Sequence, residues 1–315
     1  MSDLKIFAGT SNQELAANIA KEASLELGHC EIKRFADGEV QVEIHESVRG
    51  CNVFMVQSTC PPVNENYMEL FVVLDALRRA SANEITAVMP YYGYARQDRK
   101  VAPRAPITAK CVAQLLKTAG ADRLVVVDLH SSQIQGFFDG PFDHLFAIPT
   151  LAHSWKKRYG YGKDFVVVSP DAGGVERARA FAKRLKSSIA IIDKRRTNPN
   201  EAKAIHLIGG VKGKTAIVLD DMIDTAGTLC QSIDSLLKNG AKRVFAVATH
   251  PVLSGSAVSK ITESQLERVW VTDTIPLNPE ALACSKIEVV SVAPLIAEAI
   301  KRINSKDSVS ALFEV

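Results

Sequence analysis

The sequence has no Cys-x-x-Cys pair and no zinc-type cysteine spacing; its six cysteines, at 30, 51, 60, 111, 230 and 284, are scattered. That excludes a dithiol redox motif and fits single thiols in a reducing compartment. No apolar run is long enough to span a bilayer, so no membrane contact is expected. The start, MSDLKIFAGTSN, lacks a basic region followed by an apolar core, so no signal peptide is read there. Excess charge is scarce too: a net charge of +3 makes no electrostatic case for nucleic acid. No low-complexity segment or obvious linker interrupts the chain. These absences leave a cytoplasmic globular protein, and 47% hydrophobic with 23% charged residues is ordinary for one with a real core. A length of 315 residues accommodates two domains.

What is present is alternation. Lys5-Phe7, Val53-Gln57, Ile85-Met89, Leu124-Val127, Phe165-Val168, Ile189-Ile192, Ala216-Leu219 and Val244-Ala248 read as buried strands. Ser11-Asn12-Gln13-Glu14 is a capping-box pattern that opens a helix to about Leu27. Further helical patterns cover Met68-Ala80, Ile107-Thr118, Val175-Leu185 and Leu229-Asn239. Strand, helix, strand in repetition predicts an α/β fold, with mostly parallel sheets flanked by helices. LLKTAGADRLVVVDLHS (Leu115 to Ser131) echoes LLKNGAKRVFAVATHPV (Leu236 to Val252). With strand-to-helix patterns in both halves, the echo favours two similar domains, 1–148 and 149–315, joined near Pro149.

The segment VLDDMIDTAGT, Val218 to Thr228, carries the chemistry. Asp220 and Asp221 end an apolar strand, where open α/β sheets place their ligands. Asp224 follows, and then Thr225, Ala226, Gly227 and Thr228 form a small-residue turn into a helix. Free N–H groups at that helix start suit a phosphate. Carboxylates do not bind phosphate, but they accept hydrogen bonds from sugar hydroxyls. A sugar phosphate satisfies both halves, and Mg²⁺ would offset the repulsion among the acids.

This loop resembles the ribose 5-phosphate loop shared by phosphoribosyltransferases and ribose-phosphate diphosphokinases, both type I phosphoribosyltransferase folds. RFADGE (Arg34 to Glu39), PYYGYARQDRK (Pro90 to Lys100), RAPITAK (Arg104 to Lys110), VDLHSSQIQGFF (Val127 to Phe138), SPDAGG (Ser169 to Gly174) and DKRR (Asp193 to Arg196) resemble the class I ribose-phosphate diphosphokinases, the phosphoribosyl pyrophosphate synthetases. The match runs from KIFAG near the start to SVSALF near the end, in family order.

The resemblance implies diphosphoryl transfer from ATP to the anomeric hydroxyl of ribose 5-phosphate, with Mg²⁺ as cofactor. It implies that Phe35, Asp37, Gly38 and Glu39 hold adenine, reaching it from a neighbouring subunit. Arg96, Gln97 and Arg99 would contact ATP as a triphosphate clamp; taken alone, such a cluster is more often a solvated loop with ordinary ion pairs. His130 and Asp171 would hold the metal, although Mg²⁺ prefers oxygen ligands. Asp128, Asp139 and Asp143 are weaker metal candidates. Lys194 would be the catalytic lysine of a mobile flap, and Arg196 a ligand of ribose 5-phosphate beside the Asp220 to Thr228 loop. Ser47, Arg49, Ser81, Arg104, Ser308 and Ser310 match a regulatory site for phosphate and ADP. The family's assembly, a homohexamer of dimers, is implied as well. Two rivals stand beside this reading: a phosphoribosyltransferase that shares the ribose loop, and a non-catalytic regulatory relative.

Overall fold

The computed structural model describes residues 3–195 and 204–313. In chain order the elements are β1 (Leu4–Ala8), α1 (Gln13–Glu22), β2 (Cys30–Arg34), β3 (Val40–Ile44), β4 (Asn52–Val56), α2 (Val63–Arg79), β5 (Glu84–Met89), α3 (Thr108–Ala119), β6 (Arg123–Val127) and β7 (Phe142–Leu145). They continue as α4 (Ile148–Tyr159), β8 (Phe165–Ser169), α5 (Val175–Leu185), β9 (Ser188–Arg195), β10 (Ala204–Ile208), β11 (Thr215–Ile223) and α6 (Gly227–Lys238). Last come β12 (Arg243–Pro251), α7 (Ala257–Glu263), β13 (Val269–Thr272), α8 (Pro279–Ala283), β14 (Ile287–Val290) and α9 (Ala293–Ser305). Among the described residues, no helix is long and apolar enough to cross a membrane.

The chain divides into two compact units, the first being Met1–Phe146 with Thr274–Pro276 and Ser291–Val315. Its parallel sheet runs β1-β4-β5-β6-β7. Strands β4, β5 and β6 are buried almost end to end, as expected of parallel strands covered on both faces. A separate antiparallel hairpin, β2–β3, packs Ile32, Val42 and Ile44 on the core that holds Leu70, Val73 and Leu74 of α2.

The second unit is Ala147–Asp273 with Leu277–Val290. Its sheet runs β10-β9-β8-β11-β12-β13-β14, parallel except where β10 meets β9. From β8 the chain goes first to β9 on one side, then to β11 on the other. That reversal is a topological switch point, and open α/β sheets bind ligands outside the carboxyl ends of strands at such points. The first sheet runs in chain order and contains no reversal.

Two expectations are corrected here. Helix α1 stops at Glu22 instead of about Leu27, because Ser24 takes φ +58° and Leu27 pairs with Ile6. Its cap is Asn12, whose Oδ1 accepts from the Leu15 N–H at 3.2 Å. Residues 291–315, assigned from sequence to the second domain, belong to the first unit, where α9 packs on α1. Lys301 Nζ also donates to the Glu22 carbonyl at 2.7 Å. An amphipathic helix joins whichever apolar face is unfilled, and sequence order does not dictate which.

Candidate active site

Strand β11 lies between β8 and β12, and its carboxyl end delivers Asp220 and Asp221 to the switch point. Asp221 is only 4% exposed and Asp220 is half-buried. The Asp221 N–H donates to Asp220 Oδ1 at 2.9 Å, which locks the first carboxylate beside the second. One guanidinium answers both: Arg177 Nη1 lies 3.6 Å from Asp221 Oδ1 and 4.0 Å from Asp220 Oδ1. Arg177 stands in the first turn of α5, three residues past the SPDAGG motif, so the loop after β8 aims it at the end of β11. A cation at a helix start opposes the dipole, which makes its pairing with these acids the more significant.

Beyond Ile223 the chain turns through Asp224, Thr225 and Ala226 into α6. Ala226 adopts φ +57°, a left-handed conformation, and no side chain caps the helix. A Cβ at Gly227 would meet nothing nearer than Thr225 Oγ1 at 3.9 Å, so the backbone is approachable there. The loop is braced from one side by the Ser254 N–H on the Asp224 carbonyl at 3.0 Å. Lys260 Nζ donates to the Thr225 carbonyl at 3.1 Å and brings a cation beside the turn. Thr228 follows, exposed, in the first turn of α6. Uncapped N–H groups, an open glycine and a nearby lysine form a phosphate-type cradle within a few residues of two hydroxyl acceptors.

Asp171 sits on the neighbouring strand end, just past β8. Its Oδ1 accepts from the Gly174 N–H at 3.0 Å, and its carbonyl accepts from Ser169 Oγ at 2.7 Å. The residue is exposed. The last β8–β9 pairing is Ser169 with Ile191, and β9 runs on to Lys194, paired with Ile205 of β10. At about 3.3 Å per residue, the Lys194 backbone stands about 10 Å beyond the end of β8, on the ligand side of the sheet. Arg196 lies outside the described residues, as does most of the expected flap.

Burial, and then the hydrogen bond and charge of Asp221, push the Asp220 carboxyl up to about 8, while Arg177 opposes the shift. A folded-state value above the unfolded one means that the folded state binds the extra proton. The contribution of Asp220 to the stability of the unliganded protein is therefore fullest below the ordinary carboxylate range and declines as pH rises towards about 8. Asp220→Asn should flatten that decline in urea titrations between pH 5 and 9. An equally steep decline in the variant would show that the carboxyl is not its source.

The remaining sequence-derived residues lie in the first unit. Phe35 to Glu39 form the turn of the β2–β3 hairpin, closed by the Phe35 N–H on the Glu39 carbonyl at 2.9 Å. Gly38 at φ +95° makes the reversal, and Phe35 is 51% exposed, an aromatic face presented at the tip. Asp37 Oδ1 accepts from the Glu39 N–H at 3.1 Å. Arg96, Gln97 and Arg99 are exposed past the end of β5. The approach to them is rigid: Tyr67 donates to the Gly93 carbonyl at 2.7 Å, and Tyr92 donates to the Ala109 carbonyl at 2.8 Å. A Cβ at Gly93 would come within 2.5 Å of the Thr59 carbonyl, so only glycine fits. Gln97 Oε1 accepts from Thr108 Oγ1 at 2.5 Å.

His130 is exposed just beyond β6. Asp128 is buried at φ +39°, and the Leu129 N–H donates to His144 Nε2 at 2.9 Å. Asp143 is held by Arg123 at 2.8 Å and so serves structure. Ser47, Arg49, Ser81, Arg104, Ser308 and Ser310 are all exposed in this unit. The Gly50 N–H on the Ser81 carbonyl, 2.9 Å, joins two of those loops. Asn52 Nδ2 on Asn304 Oδ1, 3.0 Å, brings the end of α9 to the same edge. Sequence reasoning missed Arg177 and Lys260. The short spacing from SPDAGG to Arg177 was its only available signal, and Lys260 had none.

A family model described as the N-terminal domain of ribose phosphate pyrophosphokinase matches residues 4–120. A second, the phosphoribosyl synthetase-associated domain, matches residues 195–314. A ribose-phosphate pyrophosphokinase of Bacillus cereus is 55% identical over 312 residues, spanning 99% of this chain and 98% of that protein. One from Bacillus caldolyticus is 56% identical over 311 residues, with 99% and 98% covered. The crystal structure of phosphoribosylpyrophosphate synthetase from Mycobacterium smegmatis superposes with a TM-score of 0.91 at 44% identity, covering 97% of this chain and all of that one. With family models covering 4–120 and 195–314 and relatives matching along nearly its whole length, the chain belongs to the ribose-phosphate pyrophosphokinase family.

Proposed function

We infer that the chain transfers the β,γ-diphosphoryl group of ATP to the 1-hydroxyl of ribose 5-phosphate, giving 5-phosphoribosyl 1-diphosphate and AMP. The observation that carries this reading is the pairing of two carboxylates with an uncapped helix start on one strand end, in a chain of this family. Asp220 and Asp221 accept from the ribose hydroxyls. The Asp224 to Thr228 turn holds the 5-phosphate, and Arg196 closes on it. A bond forms from the sugar oxygen to the β-phosphorus as the bond from that phosphorus to the AMP oxygen breaks. Lys194 and Arg96 steady the charge that moves, while Gln97 and Arg99 align the triphosphate; alignment and charge carry most of such a rate. Phe35, Asp37, Gly38 and Glu39 grip the adenine of a neighbouring subunit's site in a homo-oligomer, the hexamer of dimers.

Mg²⁺ suits Asp171, an exposed oxygen donor beside the strand ends. The imidazole of His130 suits it through the water shell that Mg²⁺ retains. When bound, the ion neutralises phosphate charge. Phosphate and ADP are proposed as effectors at Ser47, Arg49, Ser81, Arg104, Ser308 and Ser310. The enzyme is placed in the cytoplasm.

Product analysis with ribose 5-phosphate and MgATP tests the reading. AMP and a 1-diphosphorylated sugar should form in equal amounts. ADP with a singly phosphorylated sugar would make the protein an ordinary kinase. Binding of both substrates without turnover would make it a regulatory relative, and turnover only with a nucleobase and the diphosphorylated sugar would make it a phosphoribosyltransferase.

A further inference from the structure

One face of the β2–β3 hairpin carries four metal-ligating side chains that the diphosphoryl-transfer reading leaves unused. Glu31 and Glu43 stand directly opposite each other in the antiparallel register. Two positions further from the hairpin turn, the His45 N–H donates to the His29 carbonyl at 2.9 Å and extends the ladder to a His29–His45 pair. Side chains alternate across a strand, so His29 and Glu31 share a face with Glu43 and His45. The opposite face is accounted for: Cys30, Ile32, Val42 and Ile44 pack on the core of the unit. In sequence the pattern is His-x-Glu on one strand and Glu-x-His on the other.

The geometry is that of a chelate. One ligand atom from each of Glu31, Glu43 and His45 lies within 4.8 Å of the others. The His45 ring stands between the two carboxylates, Nε2 being 3.6 Å from Glu31 Oε2 and Nδ1 3.8 Å from Glu43 Oε1, and one ion would take one of those nitrogens. Two ligands of a tetrahedral zinc ion, with bonds of about 2.0–2.2 Å, sit about 3.4 Å apart. The His29 ring lies 4.7 Å from the His45 ring, centroid to centroid, beside that three-residue set. Like charges directly opposite on a sheet repel. Lys33 Nζ answers one of them, 2.7 Å from Glu31 Oε1, and Oε2 is the oxygen that faces His45.

We propose that Glu31, Glu43 and His45 bind one divalent ion of the zinc class on the outer face of this hairpin, with water in the remaining position. Imidazole with carboxylate suits Zn²⁺ or Co²⁺, whereas Mg²⁺ and Ca²⁺ select all-oxygen sets. The ion clamps the two strands just below the turn that carries Phe35 to Glu39.

The test uses the full-length protein, stripped with a chelator and dialysed against Zn²⁺ with Mg²⁺ in large excess to fill hard-cation sites. One zinc per chain should be retained, and Co²⁺ should give the visible absorption of a four-coordinate nitrogen–oxygen site. His45→Ala, with an unchanged circular dichroism spectrum, should lose that zinc. Glu43→Gln should weaken binding about tenfold or more, while Asp171→Asn should leave it unchanged. Retention of zinc by both His45→Ala and Glu43→Gln, loss of zinc in Asp171→Asn, or no retained zinc in the parent would overturn the proposal.

Discussion

Replacing Lys194 by alanine is expected to lower kcat by about a hundredfold or more, with the KM values for ATP and ribose 5-phosphate nearly unchanged. The reason lies in where its backbone stands. Strand β9 carries the residue past the last β8 pairing and over the ligand side of the switch point. On the proposed reading, a cation there would meet little extra charge in the ground state and more as the sugar oxygen attacks and charge develops on the transferred group. An interaction made mainly in the transition state changes kcat and leaves ground-state binding alone. Steady-state kinetics with both substrates varied would separate the two effects. A parallel rise in both KM values would recast Lys194 as a ground-state anchor, and unchanged kinetics would return it to an ordinary solvated residue.

Arg177→Ala should destabilise the unliganded protein by about 3 kcal/mol, the low end for removing one partner of a buried ion pair. The low end applies because the contacts, at 3.6 and 4.0 Å, are long. Asp221, 4% exposed, would be left beside Asp220 without the guanidinium that faces both. The loss should also depend on pH, because Asp220 keeps its proton until about pH 8 and so spares the pair part of the repulsion below that. Guanidinium unfolding at pH 6 and pH 9 would show a larger deficit at the higher pH. Adding Asp220→Asn to Arg177→Ala should recover much of it. If the double variant is no more stable than Arg177→Ala, the arginine is there for packing and not for the acids.

The parts of the molecule legible in the sequence are those whose signal is local. Strands β4, β5, β6, β8, β11 and β12 each contain a short apolar run, and parallel strands buried on both faces have that form. The acids of β11 and the Thr225 to Thr228 turn are contiguous, so chemistry and spacing could be read together. The hairpin β2–β3 went unread because charges interrupt it and its apolar face covers only one side. Strands β13 and β14, at four residues each, are too brief to carry a period. Arg177 shows the other limit. Its partners lie more than forty positions downstream, and only the pairing of β8 with β11 brings them together.

The packing of α9 on α1 has a consequence for biosynthesis. Helix α1 buries Leu15, Ala16, Ile19 and Ala20, and α9 buries Ile296, Ala297 and Ile300. A ribosome releases α1 well before α9, with the whole second unit translated in between. The first unit thus waits, with its helical layer incomplete, until α9 emerges, although domains made N-terminal first usually fold in that order. A stalled or truncated nascent chain lacking α9 would display the apolar stripe of α1 to whatever holdase stands at the exit tunnel.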